Sequence, residues 1–437
     1  MNYQKTVLMI APIYPPHAGA GIHRTLRFSK YLSEFGVNVI VITMGAFADE
    51  DTNVQMLKPN RVEVVRIGPE TNPPEGGPTT NPSNTDITLR SGVVSIVKNC
   101  FRPFWQLLTL TPDRHWTWSK KAAANAIEIC TRRKIDAIYS TGPPHSVHLA
   151  GRRVARATGI PLVADFRDPW ARNSWIRKRN PIGRKFNPLF ERMVVSTASC
   201  VIANNEGSLA SFEDTYQDEA KNGKFVSITN GFDPERLSQQ KKLPESSATE
   251  NSTITVLHAG SLYAQRNPRT LVQAIVSMIS SGVDIRFRQI GHCEGNLDPV
   301  SVANSLGKPE AVERIDQISH SSTMHYIMSA DILVLIQPNA PFQVPGKLFE
   351  MLLFEQPIVA ICESAPTEKI VSEVGGVCAS SLDPVAIEQA LRTAIEMRGN
   401  PELRLRREAA RHKYNGRNLT KSLAAVFDRV TSQGSGS

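Results

Sequence analysis

The chain has 437 residues, 41% hydrophobic and 21% charged, which is enough for two or three globular domains with cores of their own. Its six cysteines form no C-x-x-C pair and no histidine cluster accompanies them, which disfavours a metal site or a disulfide framework. The net charge is +9, and residues 1–237 account for all of it with 30 Lys and Arg against 21 Asp and Glu.

This basic half suits an anionic membrane, an anionic acceptor or nucleic acid. The sequence has no zinc-finger spacing, no RNA-binding aromatic signature and no heptads, so nucleic acid is not expected. The first residues lead directly into the apolar run TVLMIAP without a charged leader, and no apolar run approaches the ~20 residues that span a bilayer. We therefore expect a cytoplasmic protein, with peripheral binding to the inner face of the plasma membrane as a further possibility.

The first elements form a βαβ unit. Thr6–Pro12 is a continuous apolar run, typical of a buried parallel strand, and a glycine-containing loop follows it. The pattern predicts a helix over Ile22–Phe35, ended by Gly36, and a strand over Val37–Thr43. A dinucleotide cofactor is disfavoured because Arg24 stands where the third glycine of the fingerprint would be and no acidic residue follows the second strand.

Two unusual segments follow. Residues 68–90 are rich in Pro, Gly, Thr and Asn, which predicts a loop. Residues 93–110 are apolar and aromatic but are interrupted by Lys98, Arg102 and Pro103. They fit either a pair of core helices or an amphipathic element that faces a membrane or an acceptor.

The strand–helix alternation then resumes. We predict strands over Ile135–Ser140, Pro161–Asp165, Ser199–Ala203 and Phe225–Thr229, and a helix over His145–Thr158. The stretch Arg172–Lys185 carries six basic residues and no acidic one. The second half starts with the strand in TVLHAG, adds strands over Ile285–Ile290, Ile332–Ile336 and Pro357–Ile361, and is helical after Asp383.

The predicted fold class is α/β, with two doubly wound Rossmann-like domains that face each other across a cleft and helices at the C-terminus. The predicted divisions are an acceptor-binding domain over 1–237, a linker over 238–253, a donor domain over 254–410, a helical segment over 411–431 and a disordered tail over 432–437. Ligands in such sheets bind beyond the carboxyl ends of the strands.

Residues 341–361, PFQVPGKLFEMLLFEQPIVAI, hold the clearest functional signal. Lys347 and Glu350 are three residues apart near the start of a predicted helix, so they share one face. A lysine at a helix N-terminus can neutralise a diphosphate, and a glutamate one turn later can accept hydrogen bonds from ribose hydroxyls. The alternative is an ordinary amphipathic helix with two exposed charges.

Several motifs, in order along the chain, resemble the retaining, nucleotide-sugar-dependent glycosyltransferases of family 4, which have the GT-B fold. They are IAPIYPPHAGAGIHRTLRFSKYL, TGPPHSVHLA, ADFRDPW, ITNGFDPE, HAGSLYAQRNPRTLVQAI, SADILVLIQPN and PGKLFEMLLFEQPIVA, and they cover nearly the whole chain. TGPPHSVHLA and ADFRDPW match a subgroup common in bacterial polysaccharide biosynthesis.

The chain departs from the family at three places. Family members often carry two glutamates with seven residues between them, but here Phe342 stands at the first position and Glu350 at the second. Ser261 replaces a usual arginine, and Arg266 stands where a lysine is usual. At the common His-Asp of the acceptor domain, the nearest residue to the histidine is Asp165.

The resemblance implies a set of site residues. The expected catalytic residues are Asp165, Arg266 and Lys347. The expected donor-binding residues are Gly19, Gly21, Gly260, Arg266, Gly346, Lys347, Leu348 and Glu350. The expected acceptor-binding residues are Arg167, Asp168, Trp170 and His145. The alternative for Asp165 and Asp168 is an ion pair with Arg167 or a turn cap. The alternative for His145 is a loop hydrogen bond, and the alternative for Trp170 is a place in the core.

The implied function is transfer of a hexosyl or N-acetylhexosaminyl group, with retention, to a saccharide acceptor that is expected to be lipid-linked. The donor is expected to be a UDP-sugar rather than a GDP-sugar, and no metal or other cofactor is required. The rival interpretations are a nucleotide-sugar 2-epimerase of the same fold and a non-catalytic nucleotide-sugar-binding scaffold.

Overall fold

The computed structural model describes residues 5–17, 21–45, 62–68, 111–172, 181–235, 253–263, 265–338 and 342–433. Several predicted features lie outside these ranges: Gly19, the segment 93–110, nearly all of the loop 68–90 and the linker 238–253, the middle of the basic stretch Arg172–Lys185, and most of the tail 432–437.

The chain forms two compact units. The first comprises Met1–Asn204, Ser208–Ile228 and Thr420–Ser437, and the second comprises Asn205–Gly207 and Thr229–Leu419. The first unit therefore includes most of the last helix. The domain limits expected from the sequence remain a prediction.

A parallel sheet forms the centre of the first unit. Its described strands are β1 (Lys5–Ile10), β2 (Val37–Met44), β3 (Glu63–Ile67), β4 (Ala137–Gly142), β5 (Leu162–Phe166), β6 (Cys200–Ala203) and β7 (Phe225–Ser227), in the order β3-β2-β1-β4-β5-β6-β7. Strands β4, β5 and β6 are buried along their whole length, because helices cover the sheet, and this explains why most of their residues are apolar.

The helices of the first unit follow the predicted alternation. They are α1 (Ile22–Tyr31), α2 (Trp116–Arg132), α3 (Ser146–Thr158), α4 (Pro181–Thr197), α5 (Glu206–Thr215) and α6 (Gln217–Lys221). Leu32–Phe35 continues α1 as a 3-10 turn, and Gly36 ends it with a φ of 74°. This left-handed backbone favours glycine, as the sequence predicted.

The second unit has a parallel sheet of the same kind. Its described strands are β8 (Ile254–Ala259), β9 (Ile285–Ile290), β10 (Val312–Ile315), β11 (Ile332–Gln337), β12 (Ile358–Cys362) and β13 (Val377–Ala379), in the order β10-β9-β8-β11-β12-β13. Its helices are α7 (Arg269–Ser280), α8 (Pro299–Ser305), α9 (His320–Met328), α10 (Gly346–Met351), α11 (Ala365–Glu373), α12 (Pro384–Glu396) and α13 (Pro401–Lys413). Helix α14 (Gly416–Gln433) follows.

Local sequence fixes where the late helices begin. Asp383 caps α12 by accepting hydrogen bonds from the N–H groups of Val385 and Ala386, and proline follows it at the first helical position. Asn400 caps α13 in the same way, again before a proline. An Asx residue followed by proline suits a helix start, because the side chain satisfies a free N–H and proline has none to lose.

Candidate functional site

The second sheet reverses its strand order between β8 and β11, which are neighbours in the sheet although two strands separate them in sequence. Open parallel sheets bind ligands at such a point, beyond the carboxyl ends of the strands. Gly260 directly follows β8, Arg266 lies in the next loop, and α10, with Lys347 and Glu350, follows β11. The fold therefore brings these predicted donor-binding residues to one edge of the sheet.

Lys347 lies against Gly260. A Cβ atom built on Gly260 would be 3.1 Å from Nζ of Lys347, closer than most Cβ contacts. Glycine at position 260 therefore lets the ammonium group approach the backbone at the end of β8. The neighbouring Gly291 has a φ of 119°, and a Cβ there would meet the Gly260 carbonyl at 3.0 Å. Because neither Gly260 nor Gly291 has a side chain, the backbones at these two positions can lie close together.

Arg266 is held over the same edge. Its Nη2 donates a 2.8 Å hydrogen bond to Oε1 of Gln337, the last residue of β11. Its guanidinium lies 4.7 Å from the ring centroid of Tyr263, in a cation–π contact. Arg266 thus links the loop after β8 to the end of β11 and holds a positive charge there.

The charges of the site act on Lys347. Loss of water around the ammonium lowers the pKa of Lys347, Glu350 opposes this change, and Arg266 adds to it. Lys347 is an exposed residue and Glu350 is half-buried, so solvent still reaches the pair. Because Lys347 lies beside a second cation and one carboxylate, an anionic ligand bound here would stabilise the two positive charges.

Two residues that were not predicted from the sequence, His258 and Gln289, lie beneath this edge. His258, which is 3% exposed, shares a 2.8 Å hydrogen bond between its Nδ1 and Oε1 of Gln289. Gln289 also donates to the Gly260 carbonyl at 2.6 Å, so β9 supports the turn after β8. Burial, with the positive charges of Lys347 and Arg266, lowers the pKa of His258 to about 3 against the effect of the Gln289 hydrogen bond, so the ring is neutral. The HAG triplet that ends β8 was the available signal.

The remaining donor-site predictions have different surroundings. Leu348 is fully buried and anchors α10 in the core. Gly346 is exposed, and no atom lies within 4 Å of a Cβ built on it. At Phe342, one of the departures from the family, the carbonyl accepts a 2.7 Å hydrogen bond from Nδ2 of Asn205.

In the first unit, Asp165 is buried in an ion pair. Its side chain is 0% exposed, and Arg24 donates to both carboxylate oxygens at 2.9 and 2.8 Å. Tyr139 and Thr141 donate at 2.6 and 2.8 Å. Burial raises the pKa of Asp165, but Arg24 and the hydrogen bonds outweigh it, so the net shift is downward. Four donors occupy the carboxylate, which favours the structural alternative over a catalytic role, with Arg24 rather than Arg167 as the partner.

Arg167 braces two loops at the carboxyl edge of the first sheet. Its Nη1 donates a 2.5 Å hydrogen bond to the Gly21 carbonyl, and its Nη2 donates to the Pro143 carbonyl. A Cβ on Gly21 would be 2.7 Å from Nη1, so any side chain at position 21 would displace the guanidinium of Arg167 from this arrangement. Burial lowers the pKa of Arg167, and the charge of the half-buried Asp168 opposes this shift.

His145 and Trp170 form a buried stack. Their ring centroids are 5.2 Å apart with an interplanar angle of 9°, and their exposed fractions are 3% and 0%. Burial, His148 and Arg167 lower the pKa of His145 well below its usual value. Neither side chain is open to an acceptor here, so the core alternative holds for Trp170. His145 is buried as well, and no described residue hydrogen-bonds either of its ring nitrogens, which disfavours the loop hydrogen bond.

The described residues contain neither a candidate metal cluster nor a candidate membrane-spanning helix. No cluster of three or more His, Cys, Asp or Glu side chains is placed to bind a metal ion in those ranges. Within the same ranges, no helix has the length and apolar character needed to cross a bilayer.

The first half of the chain is similar to a known protein family. Residues 19–231 match the family model for a glycosyl transferase 4-like domain. No curated protein matches the chain in sequence.

Solved structures resemble the chain over nearly its full length. A glycosyltransferase from Rickettsia africae matches with a TM-score of 0.61 and 15% identity, over 98% of this chain and 99% of the other. Anabaena HepE in complex with UDP and glucose matches with a TM-score of 0.60 and 15% identity, over 98% and 100%. WaaG, a glycosyltransferase of lipopolysaccharide biosynthesis, matches with a TM-score of 0.53 and 15% identity, over 96% and 99%. The predicted α/β fold class, with two parallel sheets and C-terminal helices as in GT-B glycosyltransferases, is confirmed.

Proposed function

We propose that this protein is a glycosyltransferase of the EC 2.4 class. It would move a hexosyl or N-acetylhexosaminyl group, with retention, from a nucleotide diphosphate sugar to a saccharide acceptor. The observation that carries the proposal is the convergence of Lys347, Arg266 and Gly260 at the point where the second sheet reverses its strand order. The match of residues 19–231 to the family model for a glycosyl transferase 4-like domain supports it.

The chemistry fits this set of residues. The leaving group is a nucleoside diphosphate, whose charge increases in the transition state, so fixed cations stabilise the transition state more than the bound substrate. Lys347 and Arg266 supply two cations, and Glu350 would accept hydrogen bonds from the ribose. Retention by front-face attack, assisted by the leaving phosphate, needs no base from the protein. This route is compatible with an Asp165 whose oxygens are occupied by Arg24, Tyr139 and Thr141.

The finer assignments extend the same proposal. A UDP-sugar is the favoured donor, since HepE, of the same fold, has been solved with UDP and glucose. We assign donor binding to residues 254–410 and acceptor binding to residues 1–237, with Arg167 and Asp168 closest to the acceptor. The favoured acceptor is a lipid-linked saccharide of bacterial cell-surface polysaccharide synthesis, the chemistry closest to that of WaaG.

Calorimetry with UDP and with GDP tests the donor site. Wild-type protein should bind UDP more tightly, and Glu350→Ala should weaken UDP binding by about 1.5–3 kcal/mol, the range for a hydrogen bond to a charged group. Glu408→Ala, on an exposed position of α13 in the same unit, is the matched control and should bind like wild type. Equal affinity in wild type and a folded Glu350→Ala variant would remove Glu350 from the site.

Product analysis separates the rival functions. Incubation with a UDP-sugar and an extract of lipid-linked saccharides should give glycosylated lipid and free UDP. Release of a rearranged free sugar without an acceptor would identify an epimerase. Tight UDP binding without turnover of any UDP-sugar would identify a binding scaffold.

A further inference from the structure

Away from both strand-end sites, the first unit carries a groove between helices α3 and α4. Its volume is about 470 Å³. Arg152, Arg153 and Arg156 of α3 line one side. The rest of the lining is mostly apolar and comprises Trp116, Leu149, Ala157, Phe190 and Met193. The Nε of Arg152 donates a 3.0 Å hydrogen bond to the Met193 carbonyl, which joins α3 to α4 beside the groove.

The described part of the chain does not neutralise the charge of this groove. Among the described residues, no carboxylate lies within ion-pair distance of Arg152, Arg153 or Arg156. Helix α3 contains no acidic residue, and the single one in α4, Glu191, is 1% exposed and bonded to the Ala171 N–H. The two helices together carry six Lys and Arg: Arg152, Arg153, Arg156, Arg184, Lys185 and Arg192. Burial and the nearby Arg156 lower the pKa of Arg152, so an anion between them would be stabilised.

Beside the groove, α4 exposes apolar side chains at helical spacing. Phe186 is 41% exposed and Leu189 is 53% exposed, and the partly exposed Phe190 and Met193 continue the same face. The Phe186 ring stacks at 6.4 Å on Phe190, which stacks at 6.2 Å on the buried Trp170, so the exposed ring is braced from the core. A surface helix with exposed apolar residues among arginines and lysines is typical of a helix that lies in a membrane interface.

We propose that the α3–α4 groove is a binding site for the phosphate head groups of an anionic bilayer, with the exposed face of α4 lying in the lipid interface. The three arginines of α3 bind phosphate, because guanidinium groups match phosphate geometry and remain charged. Phe186 and Leu189 enter the boundary between head groups and acyl chains. A soluble acidic protein would match the charge but not the exposed apolar face, so the observations favour lipid.

Vesicle flotation with the full chain tests this site. Wild-type protein should float with phosphatidylcholine vesicles that contain phosphatidylglycerol, should not float with pure phosphatidylcholine, and should bind less as salt rises from about 0.1 M to about 1 M, where the Debye length falls from about 10 Å to about 3 Å. Arg153→Glu with Arg156→Glu, both exposed positions, should reduce binding to anionic vesicles at least roughly tenfold, since each basic residue near such a surface contributes measurably.

Two further variants make the test specific. Arg404→Glu with Lys421→Glu changes the net charge by the same amount at exposed positions of α13 and α14, and should bind like wild type. Phe186→Ser with Leu189→Ser should weaken binding at both salt concentrations. Circular dichroism confirms folding of each variant.

Three outcomes would overturn the proposal. The first is equal or absent binding of wild type to neutral and anionic vesicles. The second is unchanged binding of the folded Arg153→Glu, Arg156→Glu variant. The third is full competition by polyglutamate against vesicle binding, together with no effect of Phe186→Ser with Leu189→Ser. The partner of the groove would then be a soluble polyanion. Since no nucleotide-sugar is present, none of these results depends on the proposed transferase activity.

Discussion

At the scale of single residues, Arg266 is the side chain whose position most directly suggests a role in turnover. Its hydrogen bond to Gln337 and its contact with Tyr263 fix the guanidinium before any ligand binds. Preorganised charge acts mainly on the transition state, where negative charge on the leaving diphosphate is greatest.

We therefore expect Arg266→Ala to lower kcat for a UDP-sugar substrate by about 10²–10³, the usual loss for one preorganised donor, with a smaller change in KM. Steady-state kinetics measure both constants. Arg404→Ala, at an exposed position of the same unit, is the control and should be neutral. A raised KM with normal kcat would assign Arg266 to ground-state binding.

Gly260 offers a second test at this scale. The Cβ of Gly260→Ala would press on the Nζ of Lys347 at 3.1 Å, and the flexible lysine can move away at little cost in folding stability. We expect UDP affinity to fall by roughly tenfold, or about 1.4 kcal/mol, with a melting temperature close to that of wild type. In a Lys347→Ala background the same substitution should have almost no further effect. Additive losses in this double-mutant cycle would show that Gly260 acts independently of Lys347.

At the scale of elements, Gln289 connects β9 to the end of β8. It hydrogen-bonds His258 and the Gly260 carbonyl, and it is fully buried. Gln289→Leu would leave two buried polar groups without this partner, at a cost of about 1–3 kcal/mol for each. Urea unfolding should show a lower free energy of unfolding, and UDP binding should weaken because the turn at Gly260 loses its support. Unchanged values for both would contradict this account.

The sequence predicted inner elements better than edge elements. Strands such as β6, β11 and β12 are almost entirely apolar because they are buried on both faces, and their predicted positions agree with the structure within two residues. The strands β3, β10 and β13 were not predicted. They are three to five residues long, and β3 and β10 have charged residues in EVVRI and VERI, since edge strands are only partly buried.

The site residues also divide into those that the sequence predicted and those that it did not. Spacing placed Lys347 and Glu350 on one helix, and the family resemblance added Gly260 and Arg266, which the fold brings to the same strand ends; their roles remain predictions. The ion pair of Arg24 with Asp165 joins residues 141 positions apart. No local pattern signals such a pair, so the nearby Arg167 was the partner expected from the sequence.

At the scale of the whole molecule, both units contain buried neutral histidines. The pKa of His148 in the first unit is lowered to about 3, as is that of His258 in the second, with burial as the main cause in both. In the unfolded chain the histidine pKa is about 6.5, so below this pH the unfolded state binds more protons than the folded state. Stability is thus fully present above about pH 6.5 and is lost as the pH falls toward 3.

Each of these histidines should lower the free energy of unfolding by about 2 kcal/mol between pH 6.5 and pH 5, at about 1.4 kcal/mol per pH unit. Urea unfolding at pH 7.5 and pH 5 measures the difference. A folded His148→Asn variant should lose less stability over this interval than wild type. The lowered pKa values of Asp165 and Glu373 act only at more acidic pH. Equal stability at the two pH values would contradict burial of neutral rings.

The last helix belongs largely to the first unit, so the first unit cannot be completed until the end of the chain has been made. Residues from Thr420 onward belong to the first unit: Phe427 packs edge-on against Tyr139 at 6.0 Å, and Arg429 reaches the sulfur of Cys200 at 3.2 Å. During synthesis on a ribosome, the strands up to Ile228 emerge well before this helix. At 5–20 residues per second the interval is roughly 10–40 s. During that time the second unit can complete its own sheet, while the first unit lacks the helix that packs against Tyr139. The part of the protein that is made first is therefore the last to be finished.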